Sequence, residues 1–206
     1  MLMKATAFAA WLTASTASVY IVMAYDFIPG RIDPHHAHWP ADSGLARSAN
    51  RTTALVFLHP RCACSKASVA HLIRIWKLQP DAELIAAVFV PRKPEDNQKA
   101  WEDAESVRML RAGLSQARLV YDVDGQEARR FGAYTSGTVL VYDQSGGEVF
   151  RGGITDRRGG ERDNSSLRQL QVVLGQLADS AGQKRPTPVF GCPIIATEST
   201  AQRSGT

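Results

Sequence analysis

The sequence predicts a single α/β domain with a central mixed β-sheet flanked by helices, preceded by one apolar N-terminal helix. The first observation is that short apolar runs typical of strands alternate, between residues 51 and 181, with stretches whose apolar residues recur at helical spacing. The second is the composition of the 206-residue chain, with 44% hydrophobic and 21% charged residues, which is ordinary for a globular protein. The third is an uncharged apolar segment at residues 5–25.

The predicted elements of the domain follow the order β-α-β-α-β-α-β-β-α. Predicted strands cover residues 54–58, 84–90, 118–122, 139–142 and 148–151. Predicted helices cover residues 65–77, 95–114, 126–131 and 165–177, the last with a leucine stripe at Leu167, Leu170, Leu174 and Leu177. Strands joined by a helical crossover are parallel and strands joined by a tight turn are antiparallel, so this order predicts a mixed sheet that ends in a hairpin, with helices on both faces.

The apolar segment at residues 5–25 is long enough to cross a bilayer of about 30 Å as a helix. Lys4 before it and Asp26 after it favour translocation of everything downstream, so we expect the domain on the periplasmic or extracellular side. Small residues at 14–18 also allow cleavage as a signal peptide. We favour an uncleaved anchor because the most hydrophobic stretch, residues 19–23, follows that candidate site. A buried helix of the domain itself is the third alternative.

Residues 26–50 contain prolines, glycines and three histidines but no sustained periodicity, which predicts a tether between the membrane and the domain. The histidines are His35, His36 and His38. They invite a metal-site hypothesis, but solvated linker histidines are the favoured interpretation because no convergent partner lies nearby in the sequence.

Cys62 and Cys64 lie where the first predicted strand turns into the first predicted helix. The N–H groups and partial positive charge of a helix N-terminus favour a thiolate, and Arg61 and Lys66 add positive charge. We therefore expect either a strained, exchangeable disulfide or a soft-metal site that includes His59. His59 is also a candidate base for Cys62 or a purely structural residue at the strand end, and two inert thiols are the remaining alternative.

This cysteine turn resembles the thioredoxin superfamily, in which a strand ending in an aromatic residue leads to a redox Cys-x-x-Cys at the start of a helix. Residues 135–142 correspond to the segment with the family's cis-proline and the strand after it, and residues 146–152 to the following hairpin. The resemblance implies a thioredoxin-like fold and a substrate-binding segment at Ser136, Gly137 and Thr138. It also implies that Cys62 is the more exposed candidate for attack, although either Cys62 or Cys64 could be the attacking cysteine.

Two positions depart from the superfamily pattern. Ser65 stands at the second redox position, which leaves a Cys-x-Cys, and Gly137 stands at the cis-proline position. Within the superfamily the sequence is similar to RedB-type proteins, which combine a His-Pro-Arg-Cys-x-Cys-Ser turn, a Gly-Gly-Ile-Thr segment and a late Gly-Cys-Pro. These motifs occur here at residues 59–65, 152–155 and 191–193.

An apolar island at residues 189–195 interrupts an otherwise polar C-terminal tail, residues 182–206. We expect it to fold back so that Cys192 approaches Cys62 and Cys64 as a resolving thiol or a third metal ligand. Pairing of Cys192 with another protein is the rival explanation. Before the last helix, a glycine- and arginine-rich loop carries Arg157 and Arg158, which could attract an acidic partner or belong to a solvated loop.

The leading functional hypothesis is thiol–disulfide exchange outside the cytoplasm, with Cys62, Cys64 and Cys192 as reactive residues, protein thiols or disulfides as partners and no organic cofactor. One alternative is a copper(I)-binding or metallochaperone protein that uses Cys62 and Cys64 with His59 or Cys192. Another is a non-catalytic binding module. The net charge of +4 comes from scattered arginines rather than from a basic run with interleaved aromatics, so nucleic-acid binding is not predicted.

Overall fold

The structure is a computed structural model that describes residues 2–34, 37–79, 81–92, 98–175 and 186–195. Several predictions fall outside these residues. They concern His35, His36, the start of the predicted helix at residue 95, Leu177 and most of the C-terminal tail.

Five strands and six helices make up the described part of the chain. The strands are β1 (Thr53–Leu58), β2 (Glu83–Val90), β3 (Arg118–Val123), β4 (Thr138–Tyr142) and β5 (Glu148–Gly152). The helices are α1 (Leu2–Tyr25), α2 (Ser65–Trp76), α3 (Gln98–Glu102), α4 (Glu105–Gly113), α5 (Gln126–Arg130) and α6 (Ser165–Gly175).

The strands form one mixed sheet in the order β3-β2-β1-β4-β5. Strand β1 pairs with β2 in parallel and with β4 antiparallel, β2 pairs with β3 in parallel, and β4 and β5 form the antiparallel hairpin. All six residues of β1 are buried, as expected for the central strand. The predicted mixed sheet with a terminal hairpin is confirmed.

Helices cover both faces of the sheet and create two hydrophobic layers. On one face, α2, α4 and α6 pack their apolar stripes against alternate residues of β1, such as Val56. On the other face, Phe57 and its neighbours pack against the short α5, Phe131 and residues from outside the predicted domain. Each strand of the sheet centre is therefore apolar on both sides.

The helix predicted at residues 95–114 is two helices, α3 and α4. The chain breaks at Ala104, whose ψ of 150° is extended rather than helical. The break allows the two helices to face different neighbours: Val107 and Leu110 of α4 are buried in the core beside α2, whereas Trp101 of α3 packs against His59 and Phe89. A continuous helix could not direct both sets of side chains inward.

The predicted tether at residues 26–50 is attached to the domain at several points, so the prediction of a free tether was wrong. The ring of Trp39 makes edge contacts with Phe131 and Tyr142, both at centroid distances of 4.9 Å, and Leu45 is buried beside them. Ser43 donates to the Glu127 carboxylate at 2.7 Å. These residues cover apolar surface on the α5 face of the sheet that would otherwise be exposed, although the segment has no periodic hydrophobic pattern of its own.

Helix α1 carries a 20-residue apolar stretch, Thr6–Tyr25, with mean hydropathy 1.5 and none of it buried against the domain. The alternative of a buried domain helix is therefore contradicted. The length and composition of α1 fit a membrane anchor or a signal sequence.

Candidate functional site

The cysteine turn connects β1 to α2 through a tight, hydrogen-bonded loop. The N–H of Cys62 donates to the His59 carbonyl at 3.0 Å, and the N–H of Ser65 donates to the Cys62 carbonyl at 3.0 Å. Cys64 occupies the N-cap of the twelve-residue α2. Both thiols of the turn therefore lie beside the N–H groups and the partial positive charge of a helix start.

Ser136 links this turn to the loop that precedes β4. Its hydroxyl accepts the N–H of His59 at 2.8 Å and lies 2.8 Å from the hydroxyl of Ser65. Next to it, the N–H of Gly137 donates to the Phe57 carbonyl at 2.8 Å, and the Thr138 hydroxyl donates to the Thr135 carbonyl. The side chains of Ser136 and Thr138 are buried, and the substrate-binding role of this segment stays a prediction.

The apolar island of the tail docks along the same loop. The carbonyl of Cys192 accepts the N–H of Ser136 at 2.9 Å, and the N–H of Ile194 donates to the Tyr134 carbonyl at 2.8 Å, which makes a short antiparallel bridge. Val189, Ile194 and Ile195 are buried. Residues 187–195, here named the tail strap, thus lie across the domain as an added strand-like segment.

A glycine pair lies beneath the tail strap. A Cβ at Gly153 would lie 2.8 Å from the Cα of Val189, and a Cβ at Gly152 would meet Thr187. In the strap itself, a Cβ at Gly191 would meet the carbonyl oxygen of Ser136. The Gly-Gly and Gly-Cys-Pro motifs therefore permit a close approach of two backbones. Both motifs were visible in the sequence, but they were interpreted only as part of the resemblance to RedB-type proteins and not as a contact between two segments.

The tail strap brings Cys192 to Cys62. The N–H of Cys192 donates to Cys62 Sγ at 3.3 Å, and all three cysteines are free thiols. Cys62 is 2% exposed, whereas Cys64 and Cys192 are partly exposed. The prediction that Cys62 is the more exposed cysteine of the turn was wrong, because the tail strap lies over it.

The environment concentrates negative charge on Cys62. Burial alone would raise the pKa of the Cys62 thiol, but hydrogen bonds from the Cys192 thiol, from the N–H groups of Cys192 and Cys64 and from Ser65 lower that pKa below its ordinary value. Burial and the hydrogen bond to Cys62 raise the pKa of Cys192 to about 12. Burial and the nearby Cys62 charge also raise the pKa of Cys64. Of the three cysteines, Cys62 is therefore the one whose thiol most readily loses its proton.

His59 packs among aromatic rings. Its imidazole stacks on Phe89 at a centroid distance of 5.2 Å and meets Trp101 edge-on at 5.6 Å. Burial, followed by the charge of Arg61, lowers the pKa of His59, so the ring is neutral near pH 7. Within the described residues its Nδ1 has no hydrogen-bond partner, and no group of three or more His, Cys, Asp or Glu side chains has the arrangement of a metal site.

The cysteine turn lies at the centre of the sheet topology. The turn joins the central strand β1 to α2, the next strand β2 is parallel to β1, and the β4–β5 hairpin completes the sheet on the other side of β1 before α6. The fold is thioredoxin-like. The resemblance to RedB-type proteins in particular stays a prediction.

Comparisons with known proteins found similar solved structures but no family. No protein-family model matches the chain, and no curated protein matches it significantly. An uncharacterized conserved protein from Geobacillus kaustophilus has a similar structure, with a TM-score of 0.58 and 18% identity over 84% of this chain and 94% of that one. A hypothetical protein from Sinorhizobium meliloti has a TM-score of 0.54 and 17% identity, over 83% of this chain and 96% of that one. A thioredoxin-like protein from Aeropyrum pernix has a TM-score of 0.44 and 14% identity, over 81% of this chain and 99% of that one.

Proposed function

We propose that this protein is a thiol–disulfide oxidoreductase that acts outside the cytoplasm and uses Cys62 and Cys192 as its exchangeable pair. The observation that carries the proposal is the hydrogen bond from the N–H of Cys192 to Cys62 Sγ at 3.3 Å. It joins a thiol with a lowered pKa to one whose pKa is raised to about 12. A stable thiolate beside a protonated thiol is the reduced state of a dithiol–disulfide couple.

The proposed reaction follows thiol–disulfide exchange. The Cys62 thiolate attacks one sulfur of a protein disulfide, forming a mixed disulfide and releasing the other sulfur as a thiolate that takes up a proton. Cys192 then loses its proton and attacks Cys62 Sγ, which breaks the mixed disulfide and releases the second partner sulfur as a thiol. Two electrons pass to the partner, and the protein ends with a Cys62–Cys192 disulfide. The reverse sequence oxidises a partner dithiol.

Access to Cys62 requires movement of the tail strap, because Cys62 is 2% exposed beneath it. Near Cys192 the strap is held by two backbone hydrogen bonds, to Tyr134 and Ser136, and an extended partner chain could form the same bonds in its place. We therefore propose that Ser136, Gly137 and Thr138 belong to the partner-binding segment through their main chain. Cys64 is the alternative resolving thiol, since it also hydrogen-bonds to Cys62.

The proposed location is the periplasmic or extracellular face of a membrane, with α1 as the anchor. The apolar stretch Thr6–Tyr25 supports an anchor or a signal sequence. Free thiols outside the cytoplasm persist only if they are protected or take part in exchange, and the tail strap protects Cys62.

The test equilibrates the full-length protein in detergent with mixtures of reduced and oxidised glutathione, followed by alkylation and intact and peptide mass spectrometry. We expect a reversible loss of two hydrogens that maps to Cys62 and Cys192. The loss should persist in Cys64→Ser and disappear in Cys62→Ser and Cys192→Ser. A Cys62–Cys64 bond would instead assign Cys64 as the resolving thiol.

Two further outcomes decide the alternatives. Stoichiometric copper(I) in native mass spectra, lost on either Cys62→Ser or Cys64→Ser, would favour the copper-binding hypothesis, because two thiolates suffice for this soft ion. Three thiols that are alkylated at every glutathione ratio, without metal affinity, would contradict both chemical functions and favour a binding module.

A further inference from the structure

Arg158 connects three separate parts of the chain near the cysteine site. It lies in the loop between β5 and α6. Its guanidinium donates to the carbonyls of Tyr25 at 3.2 Å and Ile28 at 3.3 Å, where the chain leaves α1. It also donates to the carbonyl of Gly191, the residue before Cys192.

Other contacts of the same residue fix its position. The main-chain N–H of Arg158 donates to the Asp26 carbonyl at 2.9 Å, and the guanidinium lies 4.3 Å above the centroid of the Tyr25 ring. A guanidinium has five N–H donors in a rigid planar fork, so it can hold several carbonyls in fixed directions. A lysine ammonium has the same charge but lacks that geometry.

The contact with Gly191 acts on the part of the tail strap that covers Cys62. Gly191 is fixed on one side by Arg158 and approaches the Ser136 carbonyl closely on the other. The next residue, Cys192, places its N–H on Cys62 Sγ. The charge of Arg158 also opposes the burial that raises the pKa values of Cys64 and Cys192.

We propose that Arg158 is a positioning residue that clamps the tail strap at Gly191 to the chain leaving α1 and thereby holds Cys192 over Cys62. The part of this inference that concerns formation of the Cys62–Cys192 disulfide rests on the proposed function. The clamp makes the membrane-side end of the chain part of the cysteine site. Neither the spacing of the cysteines nor the superfamily resemblance assigns Arg158 this role.

The test compares full-length Arg158→Gln, Arg158→Lys and Arg157→Gln in detergent. Arg157→Gln is the matched control, because it removes the same charge from the adjacent position of the same loop. The first readout is the alkylation rate of Cys62 in the reduced protein, which requires no redox activity. We expect it to rise about tenfold in both Arg158 variants and to stay near the wild-type rate in Arg157→Gln, since a released strap uncovers the thiol.

The second readout separates geometry from charge. Formation of the Cys62–Cys192 disulfide with oxidised glutathione should slow about tenfold or more in both Arg158 variants, because misplaced reacting groups lose proximity. The pH midpoint for alkylation of Cys64 should rise in Arg158→Gln but not in Arg158→Lys, which keeps the charge. A role limited to overall stability would not separate Lys from Gln in this way.

The outcomes distinguish this inference from the proposed function. Wild-type rates of Cys62 alkylation in both Arg158 variants would overturn the clamp, whether or not a disulfide forms. If Cys62 is alkylated faster in the Arg158 variants but the wild-type protein forms no disulfide, the clamp is supported and the proposed function is contradicted. Arg158→Lys, the milder change, provides the test if Arg158→Gln fails to fold.

Discussion

The hydroxyl oxygens of Ser65 and Ser136 lie 2.8 Å apart and join the start of α2 to the loop before β4. The Ser65 hydroxyl also donates to the His59 carbonyl at 3.0 Å, and the Ser136 hydroxyl accepts the His59 N–H at 2.8 Å. Two small side chains thus bind both main-chain groups of His59, the residue that follows β1. The position of the cysteine turn relative to the loop before β4 depends on this pair.

Ser136→Ala removes one member of this pair. The His59 N–H then loses its acceptor in a buried site, which we expect to lower the free energy of unfolding by about 1–3 kcal/mol. Urea unfolding of the full-length protein in detergent, followed by tryptophan fluorescence, measures the change. Ser165→Ala, at an exposed serine, is the control, and an equal effect of both substitutions would contradict the role of the pair.

The lowered pKa of Cys62 predicts an unusual pH dependence of its reactivity. Because the thiolate is stabilised by hydrogen bonds, the alkylation rate of Cys62 should reach half its maximum below the ordinary thiol value of 9.0. The corresponding midpoint for Cys192 should lie above it, towards its pKa of about 12. Mass spectrometry of the reduced protein after timed alkylation from about pH 6 upwards measures both.

The unfolded chain in urea is the reference for this titration. There all three cysteines should share one midpoint, since the hydrogen bonds and burial are lost. A Cys62 midpoint in the folded protein at or above that reference would show that Cys62 is not the stabilised thiolate.

The sequence predicted the elements whose apolar pattern is local. The uninterrupted apolar run of β1 indicates a strand buried on both faces, and the spacing of Val69, Leu72 and Trp76 indicates the one buried face of α2. The position of the cysteine turn followed directly. The break at Ala104 was not predicted, because neither glycine nor proline marks it and tertiary contacts of Trp101 decide it.

The exposure of Cys62 could not be predicted from the turn alone. It is determined by residues about 130 positions away, through the hydrogen bond from Cys192 and the close approach of Gly191 to Ser136. The apolar island predicted that the tail folds back so that Cys192 approaches Cys62, and the hydrogen bond between them agrees, but no sequence pattern indicated that the strap would bury Cys62. The packing of Trp39 and Leu45 on the α5 face was missed for the same reason.

Gly153→Ala is expected to displace the tail strap without changing any side chain that reacts. The new Cβ would lie 2.8 Å from the Cα of Val189, and such overpacking costs about 1–3 kcal/mol. If that cost falls on strap docking, Cys62 becomes uncovered more often and its alkylation accelerates by about 5- to 150-fold. Timed alkylation with peptide mapping measures the rate.

Gly175→Ala is the control for the glycine change, since among the described residues outside its own helix the nearest atom to its new Cβ would be Gln79 Nε2, at 3.9 Å. Its Cys62 rate should equal that of the wild type. An unchanged rate in Gly153→Ala, with the protein folded, would show that the strap tolerates the methyl group and that the glycine pair is not required for docking.

Gly137 stands where the superfamily has a proline, and the structure predicts that proline would not be accepted here. Its φ is +91°, whereas proline requires about −65°, and its N–H donates to the Phe57 carbonyl at 2.8 Å. Gly137→Pro should therefore lower the free energy of unfolding by about 3 kcal/mol or more. Gly137→Ala should cost less, about 1–2 kcal/mol for the left-handed backbone, with a further contact to Ser68 Oγ at 2.9 Å.

The order of the two variants in urea unfolding is the decisive measurement for Gly137. Proline should be less stable than alanine, and alanine less stable than glycine, because only proline removes the N–H as well as straining the backbone. A proline variant as stable as the wild type would mean that the loop can adopt the superfamily geometry. Partner docking at residues 136–138 would then not depend on the glycine backbone seen here.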